Sequence, residues 1–162
     1  MIVLGIDPGT ARTGYGIVER SGSQLRALDF GCFETVKTLT LPERLVEIHR
    51  AIGELIDEHH PSVVGVERLF FNRNVQTAFA VGQARGVVLL ATAQRDVAVA
   101  EYTPSEVKQA VVGYGKADKP QMQEMVRLIL GLDVVPSPDD VADALALAVC
   151  HAHTSTFARN VL

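Results

Sequence analysis

The run Ile2-Val3-Leu4-Gly5-Ile6-Asp7 constrains this chain more than any other stretch. It is apolar, largely β-branched, and stops at Pro8-Gly9. Such a run bounded by a turn reads as a buried strand that ends on an acid. A second short apolar run, Ser62 to Glu67, has the same character and also ends on an acid. Strands this apolar need cover, which helical segments elsewhere in the chain must supply.

The rest of the chain switches between periods of two and 3.6. Tyr15 to Glu19 and Leu25 to Thr35 read as strands, and their short spacing predicts antiparallel neighbours. In Leu41 to His59, apolar residues recur at helical spacing through Leu41, Leu45, Ile48, Ile52 and Leu55. Thr40 is a fitting N-cap for it, with Pro42 in the first turn and Glu43 three residues after the cap. A helix is predicted over 74–94, a fifth strand over 97–102, and a short helix over 104–112 capped by Thr103. A loop carrying Gly and Lys follows over 113–119. Further helices are predicted over 120–130 and 139–153, separated by a loop over 133–138. No repeat or linker interrupts this order. Three strands followed by alternating helices and strands predict an α/β domain over 1–153, a mixed five-stranded sheet flanked by helices. The tail over 154–162 is expected to be flexible.

The 162 residues suit one domain with a real core, and 48% hydrophobic against 21% charged residues excludes a disordered chain. Met1 to Gly9 lacks the basic region of a signal peptide, and Val87 to Ala93 is far too short to span a membrane. Cys32 and Cys150 form no CxxC pair, so two reduced thiols in a cytoplasmic protein are expected. The net charge of −4 opposes nucleic-acid binding unless basic residues cluster on one face.

Acids at strand ends are the candidate chemistry. Asp7 and Glu67 each close an apolar strand, and ligands of open α/β sheets gather beyond such ends. Asp140 and Asp143 are three apart at the start of the last helix and share a face. Asp before Pro-Gly is also ordinary turn chemistry, and Asp139 and Asp140 suit a helix start. Asp143 is less ordinary, because it lies in Val-Ala-Asp-Ala-Leu-Ala-Leu-Ala, where an unpaired carboxylate is costly. Four converging acids need a cation between them, and oxygen donors without His or Cys favour Mg²⁺ or Mn²⁺. Such a site can hold two ions about 4 Å apart for phosphodiester hydrolysis. His151 and His153 sit on different sides of a helix and do not suggest a shared metal.

Five motifs together resemble one family. They are Gly5-Ile6-Asp7-Pro8-Gly9 with Thr13-Gly14-Tyr15-Gly16, Val66 to Phe70, Gly82 to Gly86, Val107 to Gln109 with Val111 to Gly113, and Asp140 to Ala146. In this order and spacing they resemble the RuvC-type Holliday-junction resolvases, over nearly the whole chain from Ile2 to about His153. The resemblance implies an RNase H-like (integrase superfamily) fold. It also implies a homodimeric, Mg²⁺-dependent endodeoxyribonuclease that nicks four-way junctions symmetrically and leaves ligatable ends. Two metal ions per subunit and a RuvA–RuvB branch-migration partner are further implications. By motif match, Asp7, Glu67, Asp140 and Asp143 are the catalytic, metal-binding carboxylates, and Asp139 is an extra acid. Some relatives carry His at the position of Asp140. The family's catalytic-side lysines fall on Lys108 and Lys119. Lys116 in the Gly-bearing loop is a further phosphate candidate, and Arg68, Arg73 and Arg85 would extend a basic strip. Phe70 matches an aromatic near the junction centre, and Phe71 is expected in the core. The ridge Ala78, Gly82 and Gly86 would form the dimer contact or dock on the sheet, with the dimer favoured.

Two other readings compete. Asp before a Gly-Thr turn also opens the phosphate loops of actin-like and sugar-kinase nucleotide-binding domains, but those need a second related domain, and no Walker loop is present. A junction-binding protein that does not cut would keep the fold without needing the intact set of four acids.

Overall fold

In the computed structural model, residues 1–70 and 75–159 are described, with side chains to 155. Strands β1 (Ile2–Asp7), β2 (Arg12–Ser21) and β3 (Gln24–Glu34) come first. Helix α1 (Leu41–His59), β4 (Val63–Glu67), α2 (Val75–Ala93) and β5 (Ala98–Tyr102) follow, then α3 (Pro104–Val112), α4 (Lys119–Leu130) and α5 (Asp139–Arg159). The sheet order is β3-β2-β1-β4-β5. The β1–β2 and β2–β3 pairs are antiparallel, while β1–β4 and β4–β5 are parallel. The mixed five-stranded sheet expected from the sequence is therefore present.

Alternation along the central strands builds two cores. Leu4, Ile6, Ile17, Val64 and Val66 pack on one face against Ile48, Ile52 and Ile56 of α1 and Val88 of α2. Val3, Val18 and Val63 pack on the other face against α3, α4 and α5. Each central strand thus buries both of its faces, as its unbroken apolar composition requires.

Local signals set the helix starts. The backbone N–H of Thr40 donates to Glu43 at 2.7 Å, and that of Thr103 donates to Glu106 at 2.7 Å, so both sequence-predicted caps form. Helix α4 begins at Lys119, one residue earlier than predicted, because Asp118 takes the cap and accepts from the N–H of Gln121 at 2.9 Å. Strand β2 begins at Arg12 rather than Tyr15. Residues Arg12 to Gly14 lack apolar alternation, yet their backbone pairs with Glu34 to Cys32 of β3. Helix α5 runs beyond His153 to Arg159. Among the described residues, no helix is long and apolar enough to cross a membrane.

Candidate active site

The parallel pairing of β1 and β4 brings both strand ends to one edge of the sheet. Ile6 lies opposite Val66, so Asp7 and Glu67 leave neighbouring strands side by side. Because β2 runs antiparallel, its first residues reach the same edge, and Gly14 pairs with Asp7. Behind the strand end, Thr13 is buried, and its hydroxyl donates to the Gly9 carbonyl at 2.9 Å. The Gly9 N–H donates back to that hydroxyl at 3.3 Å, which clasps the turn after Asp7.

Helix α5 delivers the other two acids. It lies across β1 and β2 at a distance that only glycine permits. A Cβ on Gly5 would stand 2.0 Å from the Ala144 carbonyl oxygen, and one on Gly14 would stand 2.1 Å from that of Asp140. The glycines beside Asp7 thus set how closely the start of α5 approaches the strand ends.

Asp7, Glu67 and Asp143 line one cleft of about 290 Å³ together with Lys108 and Lys119. Asp140 stands at its rim, where its Oδ2 is 3.5 Å from the guanidinium of Arg12. Arg12 lies closer to Glu34, at 2.7 Å. Lys119 Nζ sits 3.0 Å from Asp139 and 3.5 Å from Asp143. Among the described residues, no three acidic, His or Cys side chains stand close enough to grip one metal ion. Like charges repel, and Arg12 and Lys119 draw Asp140 and Asp143 outward, so the four acids share one region without meeting at a point.

The acids nevertheless feel one another. Burial first, then the charges of Asp143, Asp140 and Glu67, push the Asp7 carboxyl up to about 7, with Lys119 opposing. Burial and Asp143 raise Glu67, while Lys108 opposes. Burial raises Asp143 against the pull of Lys119. This is a set of oxygen donors short of positive charge, which is what a hard divalent cation would supply.

A family model for "Crossover junction endodeoxyribonuclease RuvC" matches residues 3–151. The chain belongs to the RuvC family. The RuvC of Desulfitobacterium hafniense (strain DSM 10664 / DCB-2) is 57% identical over 154 residues, covering 95% of this chain and 93% of that protein. The solved structure of Thermus thermophilus RuvC is 40% identical and superposes with a TM-score of 0.89 over 98% of this chain and 97% of its own. The structure of T. thermophilus RuvC in complex with Holliday junction substrate superposes at 0.93, again 40% identical, over 98% and 96%. The two central strands, their terminal acids and the acid-bearing helix therefore form the RNase H-like fold of RuvC.

Other expected site residues of this RuvC family member divide into those at the cleft and those turned elsewhere. Lys108 is half-buried in it and Lys116 is exposed on the loop between α3 and α4. Phe70 is 58% exposed just beyond Glu67. Arg73 and Phe71 lie outside the described residues. Arg85 is turned inward: its Nε donates to the Glu67 carbonyl at 3.2 Å and its guanidinium pairs with Glu101. That side chain braces the end of β4 and does not extend the basic strip. Asp139, set aside as a ligand, contacts Lys119 instead. His151 meets the Tyr102 hydroxyl at 2.6 Å and His153 meets the Ala110 carbonyl at 2.8 Å, so each has its own structural partner. The sequence does not single out Arg12 and Glu34, and it offers Thr13 only as part of the motif Thr13 to Gly16, with no role for its hydroxyl. The one available signal was their position between the Pro-Gly turn and the glycines of β2, or directly across from it.

Proposed function

We propose that this chain resolves Holliday junctions in DNA recombination and repair, hydrolysing phosphodiester bonds at the carboxylate cleft in paired, symmetric nicks. One observation carries this reading. Asp7, Glu67 and Asp143 share a cleft with two lysines, in a fold that superposes on a junction-bound relative over nearly its whole length.

The proposed cofactor is Mg²⁺, two ions per subunit, with Mn²⁺ as a substitute. The all-oxygen donor set and the mutual repulsion that raises Asp7 suit such a cation. Asp7, Glu67, Asp140 and Asp143 would hold it. When bound, it supplies Lewis-acid activation of water and stabilisation of the leaving oxygen. The chain's own side chains do the rest. Lys108 and Lys119 set positive charge beside the scissile phosphate, where negative charge develops. Lys116 and Arg73 would contact backbone phosphates. Phe70 presents a ring that can stack on an unpaired base, a contact worth about 1–3 kcal/mol.

Paired nicks require two subunits, and α2 offers the surface. Val75 and Phe79 are 74% and 66% exposed, and Leu90, about three turns beyond Phe79 and so on the same side of the helix, is also exposed. Between them, Gly86 has no atom within 4 Å of where a Cβ would sit. Of the small-residue ridge, Gly86 is exposed while Ala78 and Gly82 are half-buried, with Leu69 beside Gly82. The open end at Gly86 and its apolar neighbours support a two-fold dimer built on α2. A RuvA–RuvB complex is the proposed partner, and a reducing cytoplasm the proposed setting.

The test is to incubate the protein with a synthetic mobile four-way junction and with an equal-length duplex, with and without Mg²⁺. Paired nicks in the junction alone, only with metal, are expected. Binding without cutting in Mg²⁺ or Mn²⁺ would leave a non-catalytic junction binder.

A further inference from the structure

Lys119 is bound between two carboxylates of different standing. Asp143 is a proposed metal ligand, at 3.5 Å, and Asp139 lies outside that set, at 3.0 Å. Asp139 is itself oriented: Gln123 Nε2 donates to its Oδ1 at 2.8 Å, leaving Oδ2 to face the ammonium. The same arrangement recurs at the other rim. Arg12 lies 2.7 Å from Glu34, which is not a proposed ligand, and 3.5 Å from Asp140, which is. In both cases the closer contact is to the outer acid.

Stability does not account for the Asp139 contact. The Asp139 and Lys119 side chains are 64% and 51% exposed, and pairs this wet contribute little to folding. Competition for Asp143 is the more telling consequence. An ammonium seated fully on Asp143 would occupy an oxygen that a divalent cation needs. A Lys119 with no second acceptor would take that seat.

The geometry points to Asp139, set by Gln123, as a positioning residue that holds Lys119 at the cleft rim, so that Asp143 stays available to metal and the ammonium stays available to phosphate. This rests on the proposed metal role of Asp7 and Asp143 and adds a residue outside the ligand set to it.

A double-mutant cycle with Mn²⁺ as the probe tests it without DNA. Mn²⁺ binding is measured by titration calorimetry on wild type, Asp139→Asn, Lys119→Met and the double variant, with Asp7→Asn as the reference for the metal site itself. Thermal melts in EDTA should be alike for wild type and Asp139→Asn. Asp139→Asn is expected to weaken Mn²⁺ binding about fivefold, the worth of one close charge contact in water. In the Lys119→Met background the same substitution should change it less than twofold. Equal weakening in both backgrounds would mean that Asp139 acts only as a distant charge, and would overturn the positioning role. So would unchanged binding in Asp139→Asn. If wild type binds Mn²⁺ no better than Asp7→Asn, the metal site itself fails, and this inference falls with it.

Discussion

Helices α2 and α5 have the same kind of sequence and opposite fates. Both are apolar around most of their circumference, and such helices end up buried. Helix α5 achieves this within one chain. From Val141 to Ala152 nearly every side chain is buried between the sheet and the cover of α3 and α4, and the partly exposed exceptions are Asp143 and His151. Helix α2 packs Ala84, Val88, Ala91 and Thr92 inward and leaves Val75, Phe79 and Leu90 open. The difference teaches that an apolar helix is covered on all sides in one place and left with an open apolar face in the other. One apolar helix is buried along its length and keeps its proposed catalytic acids, Asp140 and Asp143, partly exposed at the cleft, and the other leaves open the face proposed for a second subunit.

The largest expected effect comes from breaking the α5 seat. Gly5→Val would drive a side chain into the Ala144 carbonyl, where even a Cβ has only 2.0 Å. Overpacking backbone against backbone should cost about 3 kcal/mol or more, and urea denaturation should show a strongly lowered midpoint or no folded protein. Near-wild-type stability would mean that α5 does not sit so close.

Next comes the α2 face. Phe79→Asp puts like charges on both sides of the proposed two-fold contact. Dimer dissociation should rise more than tenfold by sedimentation equilibrium, with the melting temperature of the monomer little changed. An unaltered dimer would place the interface elsewhere.

A smaller effect separates the two helices by charge. The α5 side crowds acids against Asp7, and α2 has no such group. A carboxyl raised from 3.8 to about 7 in the folded state binds its proton more readily there than in the unfolded chain. Its contribution to stability therefore falls as pH rises from about 4 to 7 and is constant above. Asp7→Asn removes that loss. In EDTA at pH 8 the variant should be more stable than wild type, with a raised melting temperature, and below pH 4 the gain should vanish. A gain that persisted in acid would contradict the repulsion. Gly86→Ala should have the smallest effect. In free protein it should stabilise α2 by about 0.5–1 kcal/mol, and any loss of dimer affinity would mark Gly86 as a point of close contact.

Much of this was legible in the sequence. The strand at Ile2–Asp7 and the helix at Leu41–His59 follow from period and caps, and Asp7 and Glu67 are legible as acids at the ends of two apolar strands, whereas the parallel pairing that sets them side by side is seen only in the fold. Less legible was anything whose partner lies far along the chain. Arg12 reads as one more charged residue until β3 and α5 bring Glu34 and Asp140 to it. Arg85 reads as a surface cation, although Glu101 and the Glu67 carbonyl hold it inside. The contrast between α2 and α5 was invisible for the same reason, since periodicity reports how apolar a helix is and not what covers it.

The most direct test of the central claim is junction binding and nicking by Asp7→Asn beside wild type, on one labelled four-way junction in Mg²⁺. Binding within a few-fold of wild type, with nicking reduced at least a thousandfold (about 4 kcal/mol of barrier), is the predicted result. Nicking at the wild-type rate would contradict the assignment of the cleft as the place where the strands are cut.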